Sequence, residues 1–301
     1  MTAGPGAAPP RVRVLPPRRP GRWLVAFIAL AAVGYVIWAF ATAPSIKWNE
    51  VANYYLDGRI IDGLWLTIIL TISCMAVGVV GGVTLAVMRL SSNRVLQWIA
   101  WWYLLLFRGT PVLVQIILWF NLSLVFPTIG TASTNDVITP FTAAVLGLGL
   151  NEAAYMAEIV RAGIESVDEG QSEATASTGL TRGQALRHVV LPQAMRAITP
   201  PTGNQFIGML KSTSLVSVIG SEELLTQAQH IYGENFLTIE LLLVTCIWYL
   251  IMTSVSTVIQ YFVETKLSSG DRRPKSVVDI LRRSMRLRPQ DALSAPGGAR
   301  G

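Results

Sequence analysis

Stretches of about 20 apolar residues, few of them charged, recur along this chain, and few folds are open to a chain that carries them. A helix needs about that length to cross the hydrocarbon of a bilayer. Inside lipid, every backbone N–H and C=O must be satisfied within the element itself or by neighbouring protein. The stretches are residues 23–41 and 64–88, both uncharged, then 112–126, then 140–160 with Glu152 and Glu158, then 202–220 with Lys211, and 236–263 with Glu240 near its start. None alternates with period two, as a barrel strand does. The expected fold class is therefore an all-α membrane protein with six transmembrane helices. An interfacial helix over 95–107 is expected ahead of the third. Only 14% of the 301 residues are charged and 51% are hydrophobic, where a soluble domain is about a quarter charged. That balance excludes a disordered chain and argues against a cytosolic enzyme.

The first stretch has the basic flank of a signal peptide (Arg18, Arg19, Arg22) and a small-residue end, Ala41-Thr42-Ala43. Its apolar core is about 19 residues, against 7–15 for a signal peptide, and Pro44 would follow the cut. A retained helix over 22–41 is expected. Lys and Arg concentrate in the loops that stay cytoplasmic. Here 21 of 24 basic residues fall in the N-terminal tail, the loops around 89–108 and 161–196, and the C-terminal tail. Both termini are thus expected to be cytoplasmic, in line with an even number of spans. The tail 1–21 is Pro/Gly-rich and basic, with disorder expected. The tail 264–301 is basic, with a possible short amphipathic helix near 277–283, and either tail could touch anionic lipid. Nothing resembles a nucleic-acid-binding module. Cys74 and Cys246 read as small buried residues inside spans, and His188 and His230 as surface residues.

Residues 164–197 are not a plain linker. Ser166 and Glu169 have capping-box spacing, with Ser166 as N-cap. An Ala/Glu/Gln-rich helix would run to Thr178, and Gly179 can take the left-handed conformation that stops it. Thr181 and Gln184 repeat the capping-box spacing, and a second helix would end near Leu191-Pro192. A loop of this length with its own capped helices is usually functional. A helix–turn–helix between two spans suits docking of a partner protein, because its motion passes to both spans.

Glu173-Ala174-Thr175, Gly179, Val189 and Leu191-Pro192 follow the pattern EAA-x3-G-x9-I-x-LP, with Thr175 and Val189 as conservative departures. In this the chain resembles the permease subunits of ABC importers. Phe107-Arg108-Gly109-Thr110-Pro111, the run 154–161, Gly170-Gln171 and Lys211-Ser212-Thr213-Ser214-Leu215 narrow the resemblance to the polar amino-acid uptake (histidine/glutamine/arginine/opine) branch. Ser212 stands where that branch has Asp. The resemblance covers about residues 60–263 and implies a five-span core, to which 22–41 is an addition. It implies a bacterial cytoplasmic-membrane protein whose 164–197 segment seats a coupling helix in an ATPase subunit. Implied partners are two ATPase subunits carrying ATP and Mg, a second permease subunit, identical or homologous, an extracytoplasmic solute-binding protein and an amino-acid substrate.

No P-loop exists to bind ATP on this chain. Lys211-Ser212 resembles the end of one, but Leu210 and Gln205 occupy the glycine positions. Ionisable groups in a span are functional candidates. On the fourth span, which also carries Glu152, Asn151, Tyr155 and Glu158 share one face. The fifth offers Asn204, Gln205, Lys211, Thr213 and Ser214 and is expected to be interrupted at Pro200-Pro201 and Gly203. A zwitterionic substrate needs an acceptor for its ammonium, which Glu152 or Glu158 could supply. It also needs a donor for its carboxylate, which Lys211 or backbone N–H groups near the prolines could supply. Against this stands a structural Glu158–Arg161 ion pair. Gly78 and Gly82 form a small-residue face for helix packing, within or between subunits. The acidic outward loops (Glu50, Asp57, Asp62, Asp136, Glu222, Glu223, Glu234) suit a docking protein. The alternative is a proton- or sodium-driven transporter using Glu152 and Glu158. A membrane-embedded enzyme would lack a nucleophile–base or metal set.

Overall fold

The computed structural model of the protein describes residues 20–168, 170, 171, 175 and 177–268. The tails, the helix considered near 277–283, and Glu169, Glu173 and Ala174 lie outside the described residues.

The described residues are almost wholly helical. In chain order the helices are α1 (Pro20–Thr42), α2 (Trp48–Tyr54), α3 (Gly58–Leu90), α4 (Arg94–Gly109), α5 (Val112–Phe120), α6 (Thr134–Val137), α7 (Pro140–Glu165), α8 (Arg182–Ala185), α9 (Leu191–Ser212), α10 (Leu224–Asn235) and α11 (Thr238–Ser268). A two-residue hairpin, β1 (Thr128–Ile129) with β2 (Ala132–Ser133), is antiparallel, with Thr128 opposite Ser133. Caps set the starts. The Asp57 side chain accepts from the Arg59 N–H ahead of α3, Asn93 does so for Val95 ahead of α4, and Thr139 with Thr142 forms a capping box ahead of α7.

By length and composition α1, α3, α7 and α11 can each cross a membrane, and α4 with α5, bent by 99°, make one further candidate. The expected span over 202–220 is not among them. Its helix starts earlier, at Leu191, carries Arg196 and Lys211, and gives way to a 3-10 turn at Thr213–Ile219. Nor does it break at Pro200-Pro201. α9 runs through both prolines, whose φ is already helical, and the Gln260 side chain donates to the Pro200 carbonyl at 3.1 Å.

Helix α1 belongs to a compact unit of its own, and none of its apolar window is buried. The bundle from Ile46 onward is organised on α3 and α7. Gly78 and Gly82 of α3 lie against α7 so closely that a Cβ on Gly78 would sit 2.6 Å from Glu152 Cγ, and one on Gly82 3.0 Å from the Ala157 nitrogen. The small-residue face therefore packs inside the subunit. Around this pair lie a core of Leu70, Cys74, Ile116 and Leu148 and a second core of Ile60, Leu224, Ile231 and Leu241. Cys74 is buried as expected, but Cys246 is exposed on α11, because its face of that helix points out of the bundle.

Candidate functional site

The segment between α7 and α9 begins differently from its sequence pattern. Ser166 ends α7: its N–H bonds the Ala162 carbonyl at 3.0 Å and its Oγ the Gly163 carbonyl at 2.7 Å. Asp168 does the capping, accepting from the Gly170 N–H at 2.8 Å. The helix of the preceding span extends to Glu165, so Ser166 is spent on closing it. The stop is as expected. Gly179 has φ +78°, and the Leu180 N–H reaches back to the Thr175 carbonyl at 3.2 Å, a six-to-one closure that needs the left-handed residue. Thr175 is buried. The second capping box is present too: Gln184 Oε1 accepts from the Thr181 N–H at 2.9 Å and the Gln184 N–H faces Thr181 Oγ1 at 3.4 Å.

The helix that starts there does not end at Leu191-Pro192. α8 passes into a π-helical turn, Leu186–Val190, and then directly into α9. Pro192 lies in the first turn of α9, where its missing donor costs little, and the wide turn before it accommodates the ring. Val189 is half-buried on this turn, next to buried Val190, and Ala194 is buried one turn on against Val160 and Ile198. A Cβ on Gly163 would meet the Ile198 side chain, so α7 and α9 touch just beyond the segment.

Asn151, Tyr155 and Glu158 do share a face, and that face meets α4. The Asn151 amide donates to the Phe107 carbonyl at 2.6 Å, and Gln115 Nε2 faces the Phe107 carbonyl, the Thr110 carbonyl and Thr110 Oγ1 at 3.0, 3.1 and 2.8 Å. These bonds satisfy the backbone groups freed where α4 turns into α5. Tyr155 lies under the Arg108 guanidinium, 5.3 Å from it. The Glu158 carboxylate is shared: one oxygen pairs with Arg89 and stands 3.8 Å from Arg108, and the other bonds Arg161 at 2.8 and 3.1 Å. The structural ion pair weighed from sequence exists, and it is larger than one partner.

Glu152 points elsewhere. It is buried against α3 at Gly78, its Oε1 has no hydrogen-bond partner, and the Gln205 side chain of α9 lies beside the carboxylate. Asn204 beside it is exposed and faces Gln260 at 3.4 Å. Lys211 is exposed near the end of α9. The Ser214 hydroxyl donates to its carbonyl at 2.7 Å, and Thr213 is buried. The eight residues thus fall into three places, with Glu152 and Gln205 bridging α7 and α9. Below them a cavity of about 670 Å³ separates α3, α7, α9 and α11, apolar except for Thr199, Thr202, Ser256 and Gln260.

One carboxylate was misplaced. Glu223, expected in an outward loop, is fully buried. It caps α10 through the Leu225 and Thr226 N–H groups, both at 2.9 Å, and accepts from Tyr249 at 3.0 Å. Burial holds its carboxyl above the usual glutamate range, against the pull of these bonds. Its sequence signal was the N-cap position before Leu224-Leu225. Gln115 was also missed, although it is a lone amide inside an apolar stretch, the mark of a polar group with a built-in partner. Glu222 and Glu234 are exposed, and Glu234 pairs with Arg59 at 3.2 Å.

A bundle of helices long and apolar enough to cross a membrane, with a capped segment running from α7 into α9, is the architecture of an integral membrane protein. Its membership is equally plain. The family profile described as "binding-protein-dependent transport system inner membrane component" matches residues 78–269, and the chain belongs to that family. It is a permease subunit of an ABC importer, and the ATP is hydrolysed on a partner ATPase. Among relatives, the arginine transport system permease protein ArgU of Corynebacterium glutamicum is 43% identical over 91% of this chain and 89% of its own length. The glutamine transport system permease protein GlnP of Escherichia coli K12 is 36% identical over 69% of this chain and 92% of its own. A crystal structure of an amino acid ABC transporter with histidines superposes at a TM-score of 0.66, at 36% identity, over 73% of this chain and 99% of that one.

Proposed function

We propose that this chain forms the translocation path of a polar amino-acid importer in a bacterial cytoplasmic membrane. The observation that carries the reading is the 43% identity to an arginine permease over nearly the whole length of both chains. In this reading the chain crosses the membrane six times with both termini cytoplasmic. It pairs with a second permease, identical or homologous, and two ATPase subunits loaded with ATP and Mg dock on residues 164–197. A solute-binding protein delivers substrate on the other side, where exposed Glu222, Asp136 and Asp62 favour a basic partner. Glu173, Ala174, Thr175, Gly179, Val189, Leu191 and Pro192 carry the coupling. The Schellman-type stop at Gly179 and the π turn before Pro192 support a segment of defined shape. The test is Glu173→Lys and Gly179→Asp in cells that co-express the ATPase and binding protein. Both are expected to abolish uptake and co-purification of the ATPase. Unaltered uptake and association in both variants would overturn the coupling assignment, and uptake with no ATPase present would favour the ion-driven alternative.

Glu152 is the leading acceptor for the substrate's positive charge, with Gln205 beside it. Asn204, Lys211, Thr213 and Ser214 follow on the α9 side. Asn151, Tyr155 and Glu158 contribute by fixing the opposite face of α7 against α4. A hydrogen bond to a charged group is worth about 1.5–3 kcal/mol. Glu152→Gln should therefore weaken uptake of cationic amino acids by about 10- to 100-fold, with a smaller effect on neutral ones. An equal loss for both classes would leave Glu152 a purely structural role.

A further inference from the structure

One hollow of the bundle serves neither the coupling segment nor the Glu152 region. Helix α4 buries Ala100 and Leu104 and leaves Trp98, Trp101 and Trp102 exposed. Two adjoining hollows of about 520 and 460 Å³ open along it and share Arg89 and Trp101 as their common wall. Gln97 and Trp98 line the first, and Arg108 and Tyr155 the second.

The charges here do not balance. Three guanidinium groups, Arg89, Arg108 and Arg161, share two carboxylates, Glu158 and Glu165. Arg161 engages both carboxylates, and Arg89 takes the second oxygen of Glu158. Arg108 is left 3.8 Å from an oxygen already in use, with its side chain 44% exposed at the hollow. Its guanidinium carbon stands over the Tyr155 ring, 5.3 Å from the centroid, a contact that uses none of its N–H donors. A guanidinium fork matches two oxygens of a phosphate. Exposed tryptophans belong at the headgroup level of a membrane, and Leu105, one turn beyond Trp101 on α4, is an exposed apolar side chain.

We propose that this hollow binds an anionic phospholipid. Arg108, with Arg89 behind it, holds the phosphodiester, and Trp101 and Leu105 flank the start of an acyl chain. The site requires that the chain lie in a membrane, and it is independent of what the importer carries.

The test is native mass spectrometry of the full-length chain in detergent, titrated with phosphatidylglycerol or with phosphatidylcholine of the same acyl chains, and separately with glycerol phosphate. At least one phosphatidylglycerol should be retained in preference to phosphatidylcholine. One basic residue near a membrane surface contributes about 1 kcal/mol, so Arg108→Gln should weaken that binding about fivefold, and Arg108→Lys should retain most of it. Equal retention of the two lipids by the unaltered chain overturns the proposal. So does unchanged phosphatidylglycerol binding in Arg108→Gln, and so does equally strong binding of glycerol phosphate, which would mark a site for soluble anions. The two-lipid comparison on the unaltered chain decides the matter if Arg108→Gln fails to fold.

Discussion

At Gly82 a single hydrogen atom decides how close two helices come. A Cβ there would press on Met156 and stand 3.0 Å from the Ala157 nitrogen, and both belong to a rigid helix. Overpacking of this kind costs about 1–3 kcal/mol. Gly82→Val should lower the thermal midpoint in detergent accordingly, while Gly208→Val, where nothing lies within 4 Å of the added Cβ, should not be limited by space. Glu223 offers a second test at this scale. Its folded carboxyl titrates above the ordinary glutamate range because of burial. At pH between the unfolded and the folded pKa, the folded state therefore binds more protons than the unfolded one. That contribution to stability is fully present below the unfolded pKa and is lost as pH rises through the folded one. Glu223→Gln should flatten this decline in a melting series across pH. It should also cost about 1–3 kcal/mol, because an amide cannot accept every bond the carboxylate accepts from Leu225, Thr226 and Tyr249.

Among the elements, the α4–α5 elbow and the π turn depend on polar groups that helix periodicity does not reveal. Gln115 is buried, and its amide faces three acceptors at the bend. Gln115→Leu removes this donor from the Thr110 carbonyl, while Asn151 still serves Phe107, at a cost of about 1–3 kcal/mol, to be read as a lowered thermal midpoint. The unbroken course from α8 through the π turn to α9 makes a different prediction. Pro192→Ala restores an N–H and permits a regular α turn, which would rotate α8 relative to α9. Uptake and ATPase association should fall while the thermal midpoint holds or rises. If uptake is unchanged, the shape of this turn has no part in coupling.

Across the whole molecule, α1 belongs to one compact unit and the bundle from Ile46 onward to another. A chain beginning at Ile46 should therefore keep the melting behaviour of the bundle and its association with the ATPase. Loss of the folded bundle would show that α1 contributes to its stability.

Some of this was legible in the residues themselves. Apolar length located α1, α3 and α7, the Thr181–Gln184 spacing announced its capping box, and Gly179 announced a left-handed stop. Each of these depends on neighbours within a few positions, where hydrogen-bond geometry is set by the local chain. Partnership across the fold was not legible. Glu158 and Arg161 are three residues apart, but Arg89 and Arg108 reach Glu158 from other helices. Glu152 and Glu158 are alike in sequence, and only the packing of α3 and α9 leaves one buried and unpaired and the other ringed by arginines. The sequence by itself thus determined a membrane-spanning helical chain and the local form of its coupling segment. The tertiary structure alone decided which charges are satisfied, because the energy of a buried charge is set by the groups that the fold brings within a few ångströms of it.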